Sequence, residues 1–110
     1  MPHLIYLASP YSHPDPLVRE QRFKDACVKA GNLMRAGYIV ISPIAHSHNI
    51  ASLCQFDKQW QFWSKQDLEI LSRCDEMFVL RLDGWQKSEG IKAEIEFAYD
   101  MGIPIRYIDP

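Results

Sequence analysis

Met77-Phe78-Val79-Leu80, a turn at Asp83-Gly84, then Ser88-Glu89-Gly90-Ile91-Lys92-Ala93-Glu94-Ile95-Glu96-Phe97-Ala98: this stretch reads as a buried strand followed by the first turns of a helix. Ser88 is a natural N-cap, because its hydroxyl can accept from a free N–H of the first turn. At roughly 100° per residue, Ile91, Ile95, Ala98 and Met101 share one face, while Glu89, Lys92, Glu96 and Asp100 fall on the other side. Glu94 breaks the pattern. It projects among Ile91, Ala98 and Met101, where a carboxylate is costly unless it is paired or faces a cavity. Either it is a structural acid bonded to a neighbouring backbone or arginine, or it is the first sign of chemistry.

The same alternation of strand and helix extends in both directions. Leu4 to Ala8 is a short, nearly continuous apolar run that suits a strand covered on both faces. Asp15 caps a helix with Pro16 at its first position; the helix runs to about Ala36, presents Phe23, Cys27, Ala30 and Met34 to the core, and ends at Gly37. Tyr38 to Ile41 is a second strand, stopped by Ser42-Pro43. Ile44 to Phe56 reads as a loop with at most one short helix. A helix follows from about Asp57 to Arg73, with Trp60, Trp63, Ile70, Leu71 and Cys74 on one face and Asp67 in the middle of that face. Gly102 ends the Glu94 helix, and Ile103 to Ile108 forms a last strand, with Pro104 suited to its start or to an edge.

Such alternation means βαβ units, hence one α/β domain over residues 1–110 in three layers. A parallel sheet of four to five strands carries helices on both faces, flavodoxin- or Rossmann-like, with strand order 2-1-3-4 expected. In these sheets ligands bind beyond the carboxyl ends of the strands. Three segments lie there: Ser9 to His13, Ser42 to His48, and Asp83 to Ser88.

A chain of 110 residues with a formal net charge of -2 and mixed acids and bases gives no support for binding a nucleic acid polymer or a membrane surface. Its apolar runs are too short to span a bilayer, and Met1-Pro2-His3 does not open a signal peptide. Cys27, Cys54 and Cys74 are odd in number and widely spaced, which suits reduced thiols in the cytoplasm.

Asp67 and Glu94 on the core faces of two helices suggest a shared site in which one acid stays ionised and the other is tuned. Tyr6 and Tyr11 flank the end of the first strand and can hold one of these acids by hydrogen bonds; Tyr6 can equally be a core aromatic, and Asp67 can bond a neighbouring helix N-terminus. His46 and His48 match no standard zinc spacing. One of them can reach a phosphate or a base edge, or both can pack a loop. Arg19 and Arg22 are cations to test for phosphate contact or belong to a solvated face. Trp60 and Trp63 read as core or subunit interface, and Trp85 as a platform for a base.

Taken together, Ser88-x-Gly90-x-x-x-Glu94-Ile95-x-Phe97-Ala98, Ile5-Tyr6-Leu7-Ala8, and Asp67-Leu68 followed by Cys74-Asp75 and an apolar strand resemble, in order, the signature of the nucleoside 2-deoxyribosyltransferase superfamily. Ser42-Pro43-Ile44-Ala45-His46-Ser47-His48 resembles a small bacterial and phage branch. The resemblance implies that Glu94 attacks the anomeric carbon of a deoxyribosyl group and forms a covalent glycosyl-enzyme, as in retaining glycoside chemistry. Asp67 would hold the substrate and move the proton of the base, and Tyr6 would orient the nucleophile. Ser88 resembles the branch that hydrolyses nucleoside 5'-monophosphates, where a serine helps bind phosphate; a plain N-cap is the other reading. With no C-terminal extension beyond Pro110, hydrolysis gains weight against transfer, and both stay open. The substrate-binding set expected is Ser9, Tyr11, His46, His48, Asp83, Trp85, Ser88 and Gly90. No metal or cofactor is expected, the ligand is a nucleoside or nucleotide, and the assembly is a homo-oligomer, dimer or tetramer. The rival readings are a nucleotide-binding sensor without turnover and a structural or oligomerisation domain.

Overall fold

The computed structural model describes residues 3–56 and 59–110. Strand β1 (Leu4–Ala8) is the centre of the construction. It pairs in parallel with β2 (Ile39–Ile41) on one side and with β3 (Glu76–Leu80) on the other, and β3 pairs in parallel with β4 (Ile105–Ile108). The order is β2-β1-β3-β4, the expected 2-1-3-4. Asp75 sets the join between the central strands: its carboxylate accepts from the Leu4 N–H at 2.8 Å, and its own N–H donates to the Leu4 carbonyl at 2.9 Å.

The period of two in a strand divides the core into two layers. Tyr6, Ala8, Met77 and Val79 point to one face, where Leu71 and Cys74 from the α3 end of the chain and Ile91 and Ala98 pack against them. Ile5, Leu7, Phe78 and Leu80 point to the other face and meet Ala30 and Leu33. Helix α1 (Pro16–Arg35) therefore covers one side, while α3 (Trp60–Ser72) and α4 (Glu89–Met101) cover the other. This is why β1 and β3 carry almost no polar residue: neither face of the central strands meets water. The edge strands differ, and Ile39 is half exposed.

Several local expectations change. The Asp15–Pro16 start of α1 is as read, with the Asp15 carboxylate accepting from the Leu17 N–H at 2.9 Å. Its buried residues are Ala26 and Ala30, with Leu33 packed beside them, whereas Met34 is 54% exposed and Cys27 only half-buried. The inward stripe is rotated by about one residue from the predicted one, which lets two alanines bring the helix close to the sheet. Met101 is likewise 54% exposed, because Gly102 turns the chain away at the last turn of α4.

The largest difference is Pro43–Cys54, a full twelve-residue helix, α2, where a loop with a short helix was expected. Its start repeats the Asp15–Pro16 device: Ser42 Oγ accepts from the Ala45 N–H at 3.3 Å, and Pro43 occupies the first helical position. Its end carries no glycine; Gln55 takes the left-handed conformation, with φ 57°, and its N–H returns to the Ala51 carbonyl. Helix α2 contacts α1 and β1 and so closes one side of the carboxyl end of the sheet. The start of α3 expected near Asp57 lies outside the described residues; the described helix begins at Trp60 behind Gln59. Among the described residues no helix is long and apolar enough to cross a membrane.

The core assignment can be checked with two truncations. Leu71→Ala removes a fully buried side chain and should lower unfolding free energy by about 2–5 kcal/mol in urea titration. Met34→Ala, at the position wrongly expected in the core, should change it by no more than about 0.5 kcal/mol.

Candidate active site

Above the carboxyl end of β1 lies a cleft whose empty space, including the part open to solvent, is about 630 Å³. Four segments build it. Leu7, Ala8, Ser9, Tyr11 and Ser12 form the floor as the chain leaves β1; Ser47, His48 and Ala51 come from α2; Trp60, Trp63 and Asp67 from α3; Ser88, Gly90 and Glu94 from the start of α4. The loop after β1 and helices α2, α3 and α4 thus share the cleft at the end of the central strand.

Glu94 is only 5% exposed. The apolar stripe of α4 carries it against β1, where the Tyr6 hydroxyl donates a hydrogen bond to Oε2. Burial pushes the carboxyl up to about 8; the Tyr6 hydrogen bond opposes this, and the nearby Asp67 charge adds to it. Tyr6 is in turn held far from ionisation by burial and by the two acids.

Asp67 is 6% exposed, and burial raises it to about 6. It therefore ionises before Glu94, and its charge then retains the Glu94 proton. Two carboxyls whose environments separate their ionisation are the arrangement that allows divided roles.

The buried side-chain oxygens that lack a hydrogen-bond partner among the described residues are Ser9 Oγ, Ser47 Oγ and Asp67 Oδ1, and all three residues line this cleft. Native interiors rarely leave such groups unpaired. All three converge on one concavity from a loop and two helices, where water or a polar ligand can pair with them.

The remaining predicted residues divide. Ser88 and Gly90 line the cleft; Ser88 Oγ caps α4 by accepting from the Ile91 N–H at 3.2 Å, and Gly90 sits so close to Trp60 that a Cβ there would stand 3.2 Å from the indole Cε3. Tyr11 and His48 line it as well, but Tyr11 bonds His48, with 2.7 Å between its hydroxyl and Nδ1, rather than either acid. His46 lies outside the cleft on the exposed side of α2, since two residues apart on a helix means about 200° of rotation. Asp83 lines a different groove, beside α1, and its carbonyl accepts from Arg22 Nη2 at 3.0 Å. Trp85 packs against Tyr107 and the core instead of reaching the cleft.

Arg19 and Arg22 donate to the carbonyls of His13 and Ser12, so they brace the loop after β1. The reading from sequence missed Ser47, and missed Trp60 and Trp63 as cleft walls. Trp63 and Asp67 are one helical turn apart, and an acid within an aromatic stripe was the available signal. Ser47 gave none until α2 was known to be a helix.

The fold has a solved counterpart. The chain is similar to the 2-deoxyribosyltransferase from the psychrotolerant bacterium Bacillus psychrosaccharolyticus, at 26% identity over 97% of this chain and 72% of that one, with a TM-score of 0.68. The fold is therefore of the nucleoside 2-deoxyribosyltransferase-like kind. Residues 3–109 match the family described as Domain of unknown function (DUF1937), and the chain belongs to that family. No curated protein matches it.

The buried proton has a measurable consequence. Glu94 is raised from 4.5 to about 8, so the folded state holds a proton that the unfolded chain releases. Its contribution to stability is fully present below the unfolded value and is lost as pH rises through about 8. Glu94→Gln keeps the shape without the titration. In urea titrations from about pH 4 to about pH 9, the variant should gain stability relative to wild type as pH rises. A constant difference would mean that Glu94 is not buried in this way.

Proposed function

We propose that this protein cleaves the N-glycosidic bond of a 2'-deoxynucleoside or its 5'-monophosphate, with Glu94 as the nucleophile. The observation that carries the reading is the convergence of unpartnered Ser9 Oγ, Ser47 Oγ and Asp67 Oδ1 on the cleft that also holds Glu94. A solved relative named as a 2-deoxyribosyltransferase supports the substrate class.

In this mechanism the deoxyribosyl group sits over Glu94. Ionised Oε1 attacks the anomeric carbon while Tyr6 holds Oε2. The bond to the base breaks, its electron pair goes to the base nitrogen, and a glycosyl ester of Glu94 forms. Water or a second base then attacks the same carbon, gives up a proton and frees the carboxylate. Asp67, ionised first, holds sugar or base donors with its unpaired Oδ1. Trp60 and Trp63 offer apolar walls to the base. A 5'-phosphate would lie at the N-terminus of α4, where Ser88 caps one N–H and the Glu89 and Gly90 N–H groups face no helical acceptor.

Exposed Leu17, Phe62, Tyr99, Met101 and Tyr107 suit a homo-oligomer, and the three free cysteines suit the cytoplasm. Both belong to the same proposal.

The test is chromatographic detection of free base from a panel of ribo- and deoxynucleosides and their 5'-monophosphates, with and without a second base. Wild type should release base from one class, and Glu94→Ala should reduce the rate by roughly 10³-fold or more. No release from any member, with a nucleotide still raising Tm, would instead favour a binding module.

The pH profile offers a second check. Attack requires ionised Glu94, so the pH profile of kcat/KM should contain a limb that rises toward about 8. Asp67→Asn removes the charge that retains the proton and should move that rise to lower pH. Tyr6→Phe removes the hydrogen bond that favours the ion and should move it to higher pH.

A further inference from the structure

The mechanism leaves one polar chain in the cleft unused. Tyr11, on the loop after β1, meets His48 Nδ1 through its hydroxyl at 2.7 Å, and His48 Nε2 meets Glu20 Oε2 at 2.6 Å. Phe23 stacks on the imidazole with ring centroids 4.1 Å apart and planes within 17°, and Tyr11 meets the same ring edge-on. The histidine side chain is 11% exposed, while Glu20 is 47% exposed. The imidazole is therefore clamped between α1 and the loop, with one end at the cleft wall and the other at a solvent-linked carboxylate.

The bond directions follow from valence. A carboxylate only accepts, so Nε2 carries a proton in either state of the ring. When His48 is neutral, Nδ1 must accept, and Tyr11 spends its proton on the histidine. When His48 is protonated, Nδ1–H donates to the Tyr11 oxygen, and the Tyr11 O–H is free for the cleft.

We propose that Glu20, His48 and Tyr11 form a proton relay that delivers the proton required by the departing base. The proposal rests on the glycosidic reading above. A nucleophile and the acid assisting the leaving group work from opposite sides of the reacting carbon. Glu94 and Asp67 reach the cleft from α4 and α3, whereas Tyr11 and His48 reach it from different elements, the loop after β1 and α2.

As the bond to the base breaks, the Tyr11 O–H gives its proton to the base nitrogen. The Tyr11 oxygen takes the Nδ1 proton of the doubly protonated His48. His48 is left as the neutral Nε2–H tautomer, still donating to Glu20. The proton lost by water or by the incoming base in the second half returns by the same path. Burial opposes a lasting Tyr11 phenolate, with the Arg19 charge acting against that and Glu20 with it, so the two transfers belong to one event. Tyr11 is then a catalytic residue, and His48 and Glu20 are positioning residues that act through it.

Base release can test the relay with Tyr11→Phe, His48→Gln and Glu20→Gln, using two substrates. One is the ordinary deoxynucleoside or deoxynucleotide that wild type cleaves best. The other is 4-nitrophenyl 2-deoxy-β-ribofuranoside, whose nitrophenolate leaves without a proton. Tyr11→Phe should lose about 100-fold in kcat on the first and change by less than about threefold on the second. The Tyr11→Phe/His48→Gln double variant should be no slower than Tyr11→Phe alone, since both act in one chain. Equal losses on both substrates, or losses that multiply in the double variant, would overturn the relay. If wild type cleaves the natural substrate but not the nitrophenyl one, the double variant decides by itself. If wild type releases no base from any natural substrate, the glycosidic reading itself fails, and the relay as a catalytic device fails with it.

Discussion

The hydrogen bond from Tyr6 to Glu94 joins the middle of the sheet to the helix that carries the most deeply buried acid among the described residues. Much of the architecture meets at this contact. Tyr6 must lie on the α3–α4 face of β1, which the alternation of that strand provides. Strand β1 must be central, with β3 beside it, and Asp75 secures that pairing through both backbone groups of Leu4. Helix α4 must begin just beyond β3, and its Ser88 cap starts it there. A carboxyl group placed in this way loses most of its hydration, and one phenol does not replace it, so its proton is retained to about 8. A group of this kind weakens a fold when it ionises. Its presence at the wall of a cleft, rather than deep under the sheet, is the physical reason to read it as chemistry.

Two groups of titratable side chains reach the cleft. Burial raises both Asp67 and Glu94, and the Asp67 charge raises Glu94 further, which separates their ionisation. On α2, the imidazole of His48 is held by Glu20, stacked on Phe23 and tied to Tyr11. The floor carries Ser9, whose hydroxyl is unpaired, and the α2 wall adds Ser47. The loop that brings Ser9 to Ser12 into place is itself braced, because Arg19 and Arg22 donate to its carbonyls. Arg22 also reaches the Asp83 carbonyl, next to Gly84 with its φ of 85°. A side chain at Gly84 would begin 2.8 Å from the Arg22 guanidinium, so that turn is shaped by the brace.

Legibility from sequence depended on how strongly a local pattern was constrained. The acid in the apolar stripe of α4 was visible because the helix is strongly amphipathic and its cap is a serine. Asp67 was visible for the same reason. Helix α2 was underread because its stop signal is a left-handed Gln55 rather than a glycine, although Ser42-Pro43 announced its start. That single omission hid Ser47 and set His46 and His48 side by side, when the helix turns them to different sides. In α1, small residues rather than the bulkier Met34 face the sheet, because a helix lying close over strands leaves room for alanine.

By itself the sequence determined the alternation of strands and helices, the parallel character of the sheet and the two misplaced acids, while the strand order was expected from the fold class alone. Those follow from hydrophobic periods of two and 3.6 residues and from capping chemistry, which are local. Only the tertiary structure decided which of the residues at the strand ends share a cavity. It brought Tyr11, His48 and Glu20 into one hydrogen-bonded chain and turned Trp60 and Trp63 toward the cleft. It left Asp83, Trp85 and His46 outside. Those outcomes depend on the packing of α2 and α3 over the end of β1, where contacts join residues tens of positions apart that no local period relates.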